Sequence, residues 1–109
     1  MSDLPCIVRK PDGAVVARAT RPDQVLELDG NWYFAPEAVD PTLLEITDRT
    51  YTCPYKGVCN WVDLKSGASV ATDAAWVYPA PKPGFRRIAG WFGFYADHAA
   101  YRKTGCRAA

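Results

Sequence analysis

Histidine is nearly absent from this chain, with His98 its single copy. Structural zinc is usually held by two close pairs of cysteine or histidine, commonly spaced C-x₂-C. Here Cys53 and Cys59 are spaced C-x₅-C, and Cys6 and Cys106 lie near opposite ends, so no metal site and no cofactor is expected. An excess of either charge is missing as well: 13 basic residues face 12 acidic ones, for a formal charge of +1. A protein that wraps duplex DNA or RNA normally carries a basic face, so duplex nucleic acid is not the expected partner. A small anion is still open, because a few local cations hold one. No apolar run is long enough to cross a bilayer, so no membrane span is expected. The opening MSDLPCIVRKPDGAVV holds an early acid and a proline and lacks the apolar centre of an export signal. A cytoplasmic location is therefore expected. Thiols there are kept reduced, so the four cysteines are expected to be free of disulfides.

What remains is a small, apolar, aromatic chain. At 109 residues, 49% of them apolar and 13% aromatic, it has the size and content of one domain with one core. Residues 1–13 read as an N-terminal arm, 14–96 as a β domain and 97–109 as a polar tail of helical character. Ala14 to Thr20 read as a first strand. Gln24 to Leu28 and Asn31 to Ala35 flank Asp29-Gly30, a pair suited to a type I′ hairpin turn. Pro36 opens a short helical turn and Pro41 closes it. Val58 to Leu64 and Ser69 to Tyr78 read as a second hairpin around Lys65-Ser66-Gly67. PAPKPG lacks the N–H groups a central strand needs and reads as a crossing loop. Phe85 to Tyr95 read as a last strand broken by Gly90 and Gly93. Short strands separated by turn residues, without a long amphipathic helix, predict a mainly β, single compact antiparallel domain with at most short helices.

Candidate chemistry centres on YTCPYKGVCNW, residues 51–61. Pro54 and Gly57 enforce a bend that presents Tyr55 and Lys56. One glycine followed by a β-run is not a phosphate cradle, which needs several glycines and a following helix. Lys56 still offers a point charge to a carboxylate or phosphate. Cys53 is a weak candidate nucleophile, since the nearby lysine favours its thiolate but no base is placed beside it. Cys59 alternates with Trp61 and reads as core. Asp73 precedes Trp76 in an apolar strand, with Lys56, Arg86 and Arg87 as possible partners. In the last strand Trp91 and Tyr95 share one face, with Gly93 leaving room between them, and Ile88, Phe92 and Phe94 share the other. Lys56, Tyr55, Asp73, Trp76, Tyr78 and Trp91 are therefore the expected ligand-binding residues of one polar-tipped aromatic cleft.

LDGNWYFAPEAV, TCPYKG and DAAWVYPAPKPGFRRIAGWFGFY resemble the successive signature blocks of the domain of unknown function 427 family. The resemblance spans residues 14–96. It implies a β fold of the Mss4-like, β-tent type. The family motif falls on Tyr33, Phe34 and Pro36, on Cys53, Pro54, Lys56 and Gly57, and on Asp73, Ala75, Trp76, Tyr78 and Pro81. Ile88, Gly90 and Phe94 follow in the last strand. Members often carry a Trp where this chain has Tyr55, and a small residue where it has Cys59. The family is catalogued as a nucleotidyltransferase type, but the paired carboxylates of a two-metal site are not visible here.

Three functions follow as expectations. The first is a soluble β domain that binds an unidentified small polar or aromatic molecule in the cleft. The second is a protein-interaction or assembly module, which would take the form of a homodimer. The third is an enzyme dependent on Cys53.

Overall fold

The structure is a computed structural model that describes residues 4–106. The Asp29-Gly30 turn forms as read, with φ of 55° and 78° at its two central residues, the left-handed pair that a type I′ turn requires. It joins β3 (Val25–Leu28) to β4 (Asn31–Phe34), paired from Val25↔Phe34 to Leu28↔Asn31. Pro36–Ala38 and Pro41–Leu43 are single 3₁₀ turns, each with proline near its start. β5 (Leu44–Cys53), β6 (Gly57–Ser66) and β7 (Ser69–Val77) then run as a meander. They belong to a six-stranded antiparallel sheet in the order β3-β4-β8-β7-β6-β5, where β8 is Phe92–Phe94. A second sheet has the order β2-β1-β9, formed by β2 (Val15–Ala19), β1 (Cys6–Arg9) and β9 (Arg102–Thr104).

The two sheets enclose the main core. Val8, Val16 and Ala19 of the small sheet join Phe34, Val62, Leu64, Ala75, Val77 and Phe94 of the large one. Tyr101 ties them together, donating its hydroxyl to the Ala74 carbonyl at 2.8 Å and accepting the Tyr95 N–H at 2.8 Å. The opposite face of the large sheet carries a second cluster of Tyr33, Cys59, Trp76, Tyr78 and Ile88, with Trp61, Phe85 and Tyr95 packed on it. One face of the last strand is thus covered by the small sheet, and the other belongs to the second cluster.

Four readings change. Segments read as an arm and a polar tail each supply a strand of the small sheet, with Ile7↔Thr104 and Arg9↔Arg102 in register. Their outer residues, 1–3 and 107–109, lie outside the described residues. Only four and three residues long, these two strands carry too little alternation to be read without their partners. Cys6 and Cys106, expected to be reduced thiols, form a disulfide across that sheet, with Cα atoms 4.4 Å apart. The expectation rested on compartment and could not see that pairing β1 with β9 brings the two residues together. The span from Phe85 to Tyr95 is not one strand: Pro83–Ile88 is 3₁₀, and only Phe92–Phe94 pairs. Proline at the start removes a ladder donor there. Ile88 consequently packs with Trp76 and Tyr78 rather than beside Phe92 and Phe94.

The meander is irregular at two facing points. The β5–β6 register breaks between Ile46 and Thr50, and the β6–β7 register breaks between Val62 and Leu64. Extra residues bulge out on β5 and on β7, the latter at Asp73, whose φ is 55°. Arg49 on the first bulge reaches across β6 to Asp63 and to Asp73 on the second, with Nη2 2.9 Å from Asp73. Asp63 also accepts the Asp73 N–H at 3.0 Å. The three side chains pin both bulges to the strand between them.

Candidate functional site

Gly93 sits between two aromatic residues in register, Tyr33 on β4 and Trp76 on β7. Having no side chain, it lets the Trp76 indole lean over its backbone. Tyr33 and Trp76 meet edge-to-face with centroids 5.9 Å apart, and the indole Nε1 donates to the Tyr33 hydroxyl at 3.1 Å. Trp61, the partner of Trp76 on β6, and Tyr95 approach Trp76 from other sides at 6.4 and 4.7 Å. These rings and the hairpin bend around Lys56 surround a cleft of about 190 Å³. Asn31, Tyr51, Cys53, Cys59 and Tyr78 complete its lining.

Lys56 is the cation of that lining. It bonds Asp29 at the tip of the β3–β4 hairpin, and its Nζ lies 5.4 Å from the centre of the Phe85 ring. Burial pulls its pKa down, but the hydrogen bond and charge of Asp29 outweigh burial and hold it above the ordinary lysine value. The side chain is therefore a fixed ammonium. A Cβ at Gly57 would touch the Pro81–Lys82 backbone at ordinary contact distance, and the Lys82 N–H donates to the Lys56 carbonyl at 2.8 Å. So the proline crossing clamps the bend that presents Lys56.

The two thiols differ. The backbone N–H of Lys56 donates to Cys53 Sγ at 3.4 Å and lowers its pKa. Burial raises Cys59. Tyr78, raised by its own burial, bears on both thiols and favours their ionised forms. Iodoacetamide near neutral pH is therefore expected to label Cys53 well before Cys59, with a rate–pH midpoint below the ~8.5 of an ordinary thiol. Peptide mapping of the labelled protein checks this. Equal labelling, appearing only in denaturant, would contradict it.

The predicted site residues divide. Lys56, Trp76 and Tyr78 come together in the cleft, and Cys53 joins them. Tyr55 does not, since it is 74% exposed at the tip of the bend. Trp91 packs on the second cluster without lining the cleft. Asp73 is committed to Arg49 and lies outside the lining, so neither Lys56 nor Arg86 or Arg87 is its ion-pair partner. Tyr33, Tyr51, Asn31, Trp61 and Tyr95 were missed as walls, and Cys59, read as core, lines the cleft as well. The available signal was the alternation that puts Tyr51 with Cys53 and Cys59 with Trp61, and the register sets Tyr51 opposite Cys59. Among the described residues no cluster of His, Cys, Asp and Glu is arranged to hold a metal ion. No helix there is long and apolar enough to cross a membrane.

Residues 6–105 match a family model described as Domain of unknown function (DUF427). No curated protein matches the chain.

Proposed function

Because the chain belongs to the DUF427 family, whose description states no reaction, we propose a function from the cleft itself: it binds a small ring-bearing anion. The ring would lie against Trp61, Trp76 and Tyr95, and its acid group would meet Lys56. One observation carries this reading, a lone cation held at the mouth of an aromatic-walled cavity. Aromatic walls with a small number of placed polar groups are the usual make-up of a small-ligand pocket. The volume of about 190 Å³ accommodates one ring rather than a drug-sized molecule. Asp29 is exposed, so its carboxylate can swing into water and leave Lys56 to an incoming carboxylate or phosphate.

A thermal-shift and native mass-spectrometry screen against aromatic carboxylic acids and sugar acids tests it. Lys56→Ala and Trp61→Ala are expected to abolish the shifts, while Asp73→Ala, outside the cleft, leaves them intact. Unchanged shifts in both cleft variants would sink the reading. A second reading, assembly through a sheet edge, is favoured by β5, one of the two edge strands of the large sheet, where Ile46 and Tyr51 are exposed. Sedimentation of the same samples separates the two, because a ligand site requires no concentration-dependent dimer.

A further inference from the structure

A second concavity, of about 730 Å³, lies against the small sheet, between the β1–β9 pair and the segment 96–101 that leads into β9. Arg9, Lys10, Arg102 and Lys103 stand in its wall together with His98, and Asp97 is the one acid among the lining residues. A chain of almost no net charge has gathered four cations around one opening.

The two arginines carry the argument. Arg9 and Arg102 are direct partners in the antiparallel register. Residues so paired project side by side on one face, and like charges there repel. Both are exposed. Among the described residues neither takes part in an ion pair. The acids that are paired serve Lys10, Arg21, Arg49 and Lys56 instead. Two guanidinium groups are left at one opening with no carboxylate paired to either.

Their surroundings are fixed. Lys10 is buried, donates to the Lys65 carbonyl at 3.2 Å and lies 3.4 Å from Asp12. Lys103 donates to the Tyr95 carbonyl at 2.7 Å, and its burial lowers its pKa. His98 is stacked between Tyr95 and Tyr101, at 5.7 and 5.0 Å, and its Nδ1 accepts the Ala100 N–H. In the neutral ring this leaves Nε2 as the donor.

We infer that this concavity is a phosphate-binding site, in which Arg9 and Arg102 clamp the phosphoryl group of a small phosphorylated molecule. Each planar guanidinium offers paired N–H donors that match two phosphate oxygens, and a dianion between them removes their mutual repulsion. The volume exceeds what inorganic phosphate fills and falls within the ~300–1,000 Å³ of small-molecule sites, which points to an organic phosphate. The site shares no lining residue with the aromatic cleft.

Isothermal titration at fixed low ionic strength with ribose 5-phosphate, inorganic phosphate and unphosphorylated ribose tests the proposal. Ribose 5-phosphate is expected to bind and ribose not. Arg9→Gln and Arg102→Gln are each expected to weaken binding roughly tenfold or more, the scale of lost hydrogen bonds to a charged group. The double variant is expected to bind nothing, and Lys56→Ala to bind as the wild type does. Unliganded Arg102→Gln should melt no lower than the wild type, since a like-charge contact is gone. Arg102→Lys, which keeps the charge and loses the fork, should also bind more weakly. Equal binding of both phosphates assigns the site to the free anion, and tighter ribose 5-phosphate to its esters; either result keeps the clamp. No binding of either phosphate by the wild type, or binding by the double variant within about twofold of wild type, overturns it.

Discussion

Alanine at Gly93 is expected to lower the unfolding free energy by roughly 2–6 kcal/mol, a large part of the ~5–15 kcal/mol that holds a typical domain. A Cβ there would stand 2.4 Å from both Cε2 and Nε1 of the Trp76 indole. Atoms in real cores do not come so close, and Trp76 is only 6% exposed. The ring has few ways out, being met by Tyr33, Trp61 and Tyr95. Overpacking alone costs about 1–3 kcal/mol. Moving the indole also breaks its bond to the Tyr33 hydroxyl, and a buried donor left alone costs about 1–3 kcal/mol more. Urea unfolding of the single variant measures the sum. Trp76→Leu in the same background should recover part of it, because the clash and the ring are one interaction. Additive losses in the double variant would show that the two residues do not oppose each other.

Removing the Cys6–Cys106 bridge is expected to cost about 2–4 kcal/mol. The two cysteines are 100 positions apart, and closing so long a loop takes more entropy from the unfolded chain than closing a short one. Loop entropy alone sets a figure of about 4.7 kcal/mol for a loop of this length. Cys6→Ser should shift the urea midpoint downward, and dithiothreitol should shift the wild type by a similar amount while leaving the variant unmoved. Four titratable thiols in the untreated, unfolded wild type would mean that the bridge does not form.

Local chemistry made much of this fold legible. The Asp29-Gly30 turn, the 3₁₀ turn at Pro36 and the proline crossing are each dictated by backbone preferences of the residues that form them. Lys56 was visible as a charge at a bend, and Trp76 and Tyr78 as rings two positions apart on one strand face. Gly93 was legible as a place of close approach, though not as the seat of one indole. What stayed hidden depends on long-range pairing. β1 and β9 mean little until each finds the other, and the disulfide follows from that pairing. Nothing in the sequence marks Arg49, because its two acids lie on other strands and only the paired bulges bring all three together. Asp73 and Lys56 appeared convergent because both sit near aromatic residues, yet each had a partner that spacing does not reveal.

The bridge also decides how the molecule answers a pull. Load applied through residues 6 and 106 would run along covalent bonds across a Cα–Cα gap of 4.4 Å and bypass both sheets. Oxidised, the chain is mechanically short-circuited and can be stretched between those points without losing a strand. Reduced, the same two residues become the handles of an ordinary tether. Its contour is about 3.3–3.6 Å for each of the 100 positions between them, so reduction opens roughly 330–360 Å of extension to be drawn out as the two sheets unfold under load.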